Sequence, residues 1–294
     1  MPLVNSNIIL AHARSHRYGI PSLLAGDLSM IVGEIKAAEE LRAPIILAFN
    51  REVTPTIPTE LGIATAVEAA RHAKVPVAVI LDHGASIEQV VAAIRNGASS
   101  VMFDGSQLPY EENVRRTREV VRIAHAAWVD VEAELGGIPG SSVDLTEAGP
   151  KGTFTDPDQA ADFVARTSVD VLAISFGNVH GVYHGEPHLD LGRVRTIRNR
   201  VNIPLSMHGA SGLKPDLYPL VIQSGISKVC YYTAMARAAT ESILNKMNGI
   251  PPEERIYHQI ISQSSEIFYR TVKDLLLLLG SVGKSKHIKA SFLV

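Results

Sequence analysis

Three histidines, far apart in the chain, each close a short apolar run: His83 in VAVILDHG, His180 in VLAISFGNVHG and His208 in IPLSMHG. Buried-strand patterns that stop at an imidazole imply a parallel sheet aiming three ligands at one point. Catalytic Zn²⁺ typically takes three protein ligands and keeps one position open. Carboxylates recur at similar places. Asp82 precedes His83, Asp104 ends ASSVMFDG, and Glu132 and Glu134 lie in WVDVEAELG. A lone histidine at a strand end is more often a hydrogen-bonded structural residue than a ligand. The set is stronger than its members, because six consecutive apolar runs each deliver a polar group. Glycines follow two of the histidines, Gly181 and Gly209, and allow a ligand close to the backbone.

An anion site is the next expectation. Residues 209–212 read GASG, with Ala210 and Ser211 between the glycines, and Thr233 follows the last run. The N–H groups of a glycine-rich turn form an anion-binding nest. A divalent metal, an acid beside it and a phosphate cradle suit the making or breaking of a C–C bond next to a carbonyl. That chemistry passes through an enediolate, whose charge a Lewis acid stabilises. Asp82 would carry a proton to or from the aldehyde oxygen. No run ends in lysine, and Lys228 precedes the apolar part of the last one, so a Schiff-base route is disfavoured.

The elements that must position these groups are legible as alternation. Eight apolar runs (YGIPSLL, APIILAFN, VPVAVILDHG, ASSVMFDG, WVDVEAELG, VDVLAISFG, IPLSMHG and ISKVCYYT) alternate with amphipathic stretches such as SIEQVVAAIRNGA and EENVRRTREVVRIAHAA. In the latter, Val114, Val120, Val121 and Ala124 share a face. Residues 156–167 and 215–225 read as later helices of the same series. The pattern predicts an α/β fold, a (β/α)₈ barrel over residues 1–294 as a single domain, with residues 251–294 a C-terminal helical extension. In such barrels catalytic groups gather at the C-terminal strand ends, and phosphate often binds after strands seven and eight. The rival, an open doubly wound sheet, lacks GxGxxG after its first strand. Residues 135–156 (LGGIPGSSVDLTEAGPKGTFTD) read as a mobile loop beside the site. The extension places Ile260, Ile267, Val272 and Leu275 among its apolar positions, which suits packing on a second subunit or on its own barrel.

Bulk properties narrow the class. The chain has 294 residues, is 46% hydrophobic and carries a formal net charge of -2, with no long Lys/Arg run, so no nucleic-acid partner is expected. The single cysteine, Cys230, fits a reducing compartment. The first residues lack a signal-peptide layout, and the LLLLLG run from Leu275 is too short for a bilayer. A soluble cytoplasmic protein is the expectation, without a membrane partner. The histidines His72, His125, His184 and His188 are assigned no role.

At these residues the chain resembles the class II, metal-dependent ketose-bisphosphate aldolases, such as the fructose- and tagatose-bisphosphate enzymes. The likeness runs from about Ile35 to GSVGK and rests on LDHG, VMFDGSQLPYEENV, VEAELG, GNVHG with YHGEPHLD, HGASG and LLGSVGK. It implies Zn²⁺ on His83, His180 and His208, with another divalent metal as an option and a monovalent cation as an addition. It also implies Asp82 as proton donor and Asp104 and Glu134 at an alternate metal position. Gly181, Gly209, Ser211 and Thr233 match positions that hold a ketose phosphate. Members form dimers or tetramers, which implies a homodimer or homotetramer here.

The chain departs from the family pattern at the substrate. After strand two the family's Gln and Ser become Ala48 and Asn50. The loop's usual Glu-Asp pair becomes Ser141 and Ser142, with Asp144 and Glu147 further on. In strand eight Lys-Ile-Asn becomes Lys228, Val229 and Cys230, followed by the bulkier Tyr231 and Tyr232. A lost hydrogen-bond partner shifts discrimination by orders of magnitude. The expected function is therefore aldol cleavage of a phosphorylated ketose or related sugar other than fructose 1,6-bisphosphate, with Asn50, Cys230 and Tyr232 facing substrate. Two alternatives are the ordinary fructose or tagatose 1,6-bisphosphate reaction, with Asp144 or Glu147 as base, and a non-catalytic, metal-containing accessory subunit that binds sugar phosphate.

Overall fold

Each apolar run becomes a strand, and each strand hydrogen-bonds to the next until the eighth returns to the first. The computed structural model describes residues 3–141, 152–183 and 185–288. Its chain order is α1 (Ser6–His16), β1 (Ile20–Leu24), α2 (Leu28–Leu41), β2 (Ile45–Phe49), α3 (Thr59–His72), β3 (Val77–Gly84), α4 (Ile87–Arg95), β4 (Ser100–Phe103), α5 (Tyr110–Ala126) and β5 (Asp130–Leu135). There follow α6 (Pro157–Thr167), β6 (Val171–Ile174), α7 (Leu191–Arg200), β7 (Leu205–Met207), α8 (Leu217–Ser224), β8 (Ile226–Tyr231), α9 (Thr233–Asn248) and α10 (Tyr257–Leu278). All neighbouring strands are parallel and the sheet closes β1 to β8, with Ser22 opposite Cys230. The predicted (β/α)₈ barrel is the observed fold.

Alternation along each strand sorts side chains into two apolar layers. Leu23, Leu47, Val79, Val101 and Val131 face outward and pack under the helices. Ile20, Ile46, Ala78, Ile80, Met102, Val171 and Ala173 fill the lumen, together with Ile9, Leu10 and Ala13 of α1. Helix α1 thus plugs the N-terminal end of the barrel. Its first turn is fastened to strand starts: the Ser6 N–H donates to Ser100 Oγ at 3.1 Å and the Asn7 N–H to Asp130 Oδ2 at 2.6 Å. With the base closed, the other mouth is where strand ends can meet a ligand.

Helix α10 lies along α2 of its own barrel. Phe268, Val272, Leu275, Leu276 and Leu279 are buried in the outer layer. The helices touch so closely that a Cβ on Gly33 would come within 2.3 Å of the Ser265 carbonyl oxygen. Lys273 Nζ reaches Glu40 Oε1 at 2.6 Å across the same seam. Of the 135–156 connection, the two ends are described. Gly137 and Thr153 form an antiparallel bridge, and Thr155 Oγ1 donates to the Leu135 carbonyl. Ser142, Asp144, Glu147 and His184 lie outside the described residues. No helix among the described residues is long and apolar enough to cross a membrane.

Candidate active site

The C-terminal mouth gathers the three histidines from β3, the loop after β6 and the end of β7. Their ring nitrogens lie within 4.8 Å of one another. His83 Nε2 is 3.0 Å from His208 Nδ1. His180 Nε2 is buried with no hydrogen-bond partner. The second nitrogens of the other two rings are backed by carboxylates: His83 Nδ1 by Asp104 Oδ2 at 2.8 Å, and His208 Nε2 by Glu132 Oε1 at 2.9 Å. Carboxylate backing of this kind fixes the tautomer of a metal-ligating imidazole. An orphaned buried nitrogen, two nitrogens turned on each other and backed rings are what a cation between them would satisfy. The donor set therefore fits a divalent ion that accepts imidazole, Zn²⁺ among them.

Backbone geometry enforces the convergence. His83 has φ of 49°, left-handed for a non-glycine residue at a strand end. Such strain concentrates at functional positions. His180 is held by its N–H donating to the Pro139 carbonyl at 2.8 Å, a link to the start of the 135–156 connection. Asn178, wholly buried, donates from Nδ2 to the His208 carbonyl at 3.0 Å and so ties the two histidine loops. Tyr183 Oη donates to the Gly209 carbonyl at 2.8 Å and accepts from the Val179 N–H. Gly209 has φ of 70°, and a Cβ there would lie 2.1 Å from the Val179 carbonyl oxygen. Only glycine lets those loops approach this closely.

The electrostatics follow from burial among unlike charges. Burial disfavours a charged His83, but Asp82 and Asp104 outweigh it and raise its pKa to about 9. Burial and the other two histidines depress His180 to about 3. Burial works against an ionised Asp82, yet His83, His208 and Lys228 hold it below its usual value. Glu134, buried and near Asp104, is raised to about 7. Under the histidines lies a pair that the strand pattern did not reveal. Lys228 Nζ donates to Glu132 Oε2 at 2.5 Å, and both side chains are essentially without solvent contact. Lysine and glutamate stand opposed because both point into the lumen, where no water can serve either. With its amine committed to Glu132, Lys228 is not presented to the cleft.

Two lobes flank the histidines. The first, of ≈ 500 Å³ open to solvent, is lined by Asp82, Asn50, Gly181, Gly209, Ser211, Cys230, Tyr232 and Thr233 as well as all three rings. Ser22, Leu24, Ala48 and Val53 also line it, and Ser22 and Leu24 carried no motif that would have marked them. Ala210 is the exception among the residues expected there. Its side chain is fully buried and its N–H donates to the Cys230 carbonyl at 3.2 Å. The turn therefore offers Gly209 and Ser211 rather than Ala210. The second lobe, of ≈ 580 Å³, is lined by Asp104 and Glu134 among others. His83, Asp104 and Glu134 bring ligand atoms within 4.8 Å of one another, and a second triplet is Asp82, His208 and Cys230. Cys230 Sγ lies 3.8 Å from His208 Nε2. His72 and His125 sit on outer helices against Glu68 and Asp170.

Sequence comparison decides the family. The model of the class II fructose-bisphosphate aldolases matches residues 4–284. This chain belongs to that family. The aldolase is 36% identical over 274 residues to the protein YdjI of Escherichia coli strain K12, spanning 93% of this chain and 96% of that one. The crystal structure of the YdjI aldolase superposes with a TM-score of 0.85 at 32% identity, covering 96% of this chain and 99% of that chain. A fructose-bisphosphate aldolase of Campylobacter jejuni, at 21% identity and TM-score 0.78, covers 96% and 97% and shares the barrel. The family is metal-dependent and acts on phosphorylated sugars. The aldolase is thus a carbon–carbon lyase with a cluster of residues that could hold a metal ion.

Proposed function

We propose that the aldolase reversibly cleaves a phosphorylated ketose other than fructose 1,6-bisphosphate, using zinc on His83, His180 and His208. The observation that carries the reading is the buried, unpartnered His180 Nε2 facing the His83 and His208 nitrogens. A divalent cation there would supply the Lewis acidity that an enediolate requires. Asp82, held ionised by its cationic neighbours, takes the proton of the substrate hydroxyl during cleavage and returns it during condensation. Gly181, Gly209 and the Ser211 hydroxyl hold the phosphate, with Thr233 at the start of the 16-residue α9, where the helix dipole favours an anion. Asp104 and Glu134 form an alternate resting place for the metal. In the ordinary-bisphosphate alternative, Asp144 or Glu147 would supply the base.

The departure from the ordinary bisphosphate substrate rests on Ala48, Asn50, Cys230 and Tyr232, which line the first lobe at positions where the chain differs from the family pattern. Retention of Asp82 beside the metal set favours turnover over the accessory-subunit reading, since a binder has no use for an acid there. The same reading treats residues 1–294 as one barrel unit with 251–294 as its extension, working in the cytoplasm as a homodimer or homotetramer. Metal analysis of the purified protein together with a panel of ketose phosphates tests it. The expected result is one zinc per chain and a kcat/KM on another ketose 1-phosphate above that on fructose 1,6-bisphosphate. Stoichiometric zinc without cleavage of any member would end the proposal.

A further inference from the structure

The second lobe of the cleft is richer in acidic side chains than the first. Its wall carries the carboxylates Glu52, Asp104 and Glu134 and the neutral polar groups of Asn50, Ser106 and Gln107. Among the described residues no lysine or arginine lines either lobe. The nearest arginine in sequence, Arg51, turns its guanidinium to the Ile57 carbonyl. Asn50 Oδ1 accepts from the Glu52 N–H at 2.9 Å and the Val53 N–H at 3.4 Å, which fixes the amide and leaves its NH₂ to donate. Donors and acceptors are thus both present, and three carboxylates stand there against the single one, Asp82, that lines the first lobe. Such a wall matches hydroxyl groups, which give and take hydrogen bonds. It repels a phosphate or carboxylate, because an anion brought beside Glu52 and the half-buried Asp104 meets like charge.

The two lobes share His83, His180, Asn50 and Val53, so a ligand that spans the histidines occupies both. Resting on the reading of the preceding section, cleavage breaks the bond between the phosphorylated three-carbon fragment and the rest of the sugar. The electron pair stays on the phosphorylated fragment and the hydroxyl proton passes to Asp82. The phosphorylated fragment is taken to lie in the lobe with the glycine turns, and the departing aldehyde to keep its new carbonyl oxygen at Asp82 while its remaining carbons run past the shared histidines into the second lobe. We infer that this aldehyde is an uncharged polyhydroxy aldehyde, so that the substrate carries one phosphate and no anionic group at its far end.

The test uses the zinc-loaded full-length enzyme in the condensation direction, with dihydroxyacetone phosphate as donor. Acceptors are compared on matched skeletons: D-glyceraldehyde against its 3-phosphate and against tartronate semialdehyde, and D-erythrose against its 4-phosphate. The expected kcat/KM is at least tenfold higher for each uncharged member. Equal or better rates with the anionic members overturn the inference. Glu52→Lys and Gln107→Arg, both at exposed positions, add the missing cation and are expected to narrow the ratio at least threefold. An unmoved ratio in both variants would mean that the aldehyde lies elsewhere, which also overturns it. Deuterium exchange into dihydroxyacetone phosphate in D₂O, without any aldehyde, separates the two levels. Exchange with a preference for anionic acceptors removes this inference alone. No exchange and no condensation with any acceptor removes the aldolase assignment beneath it as well.

Discussion

At the level of single residues, the site depends on which atoms are left without partners. Asp82 Oδ1 and His180 Nε2 are both buried and unpartnered, one for a proton and one for a cation. Asp82→Asn keeps the size and removes the proton acceptor. It is expected to lower kcat by about 10²–10⁴-fold, the range of general acid–base catalysis. The zinc content, measured by elemental analysis, should be unchanged. Metal loading has its own pH dependence. The His83 pKa is raised to about 9 in the metal-free protein, so a proton occupies that nitrogen over the neutral range. A metal must displace it, and zinc affinity should weaken as pH falls below about 9. Competition titrations with a chelator from pH 6 to 9 check this, and affinity that rises on acidification would contradict it. The three histidines and Asp82 were legible in the sequence because each sits beside an apolar run. Asn178 and Tyr183 were harder to read, since the bonds that tie the loops run to backbone carbonyls, which leave no mark in sequence.

At the level of elements, β5 and β8 are joined across the lumen by Lys228 and Glu132. Two ionised side chains in an apolar interior are held by each other and by His208. Lys228→Met would leave Glu132 buried beside His208 alone, and loss of one partner of a buried pair costs about 3–5 kcal/mol. Equilibrium denaturation should report that loss as a lower midpoint. Since Glu132 also backs His208 Nε2, the same variant should bind zinc more weakly. Strands were read correctly from apolar runs, whereas this pair was hidden by the same rule. A lysine within a β-branched run reads as an edge or a surface position, and only closure of the sheet shows that its alternate face is the lumen. The extension offered two partners on sequence grounds. The close seam at Gly33 and the burial of Val272 and Leu275 give α10 to the α2 of its own chain.

For the molecule as a whole, stability couples to pH through the plug. Asp130, at the start of β5, is pushed up to about 6 from 3.8, chiefly by burial, although the Asn7 N–H donates to it. An acid whose folded pKa is raised binds its proton more tightly in the native state. The unfolded chain ionises first, so stability contributed by this group is complete below about pH 3.8 and is lost as pH rises through about 6. Asp130→Asn should flatten that part of the curve, read from unfolding free energies between pH 4 and 7. A slope identical to the parent's would refute the assignment. Periodicity announced the barrel, but not the use of α1, whose apolar run of residues 8–11 is short and is broken at once by His12 and Arg14. The plugged base has a practical corollary. Traffic in and out of the barrel passes through a single doorway, so the aldehyde and the phosphorylated fragment must depart in sequence past the same rim. A bulky reporter or a solid support attached beneath α1 should leave turnover intact, whereas one fixed at the rim should throttle it.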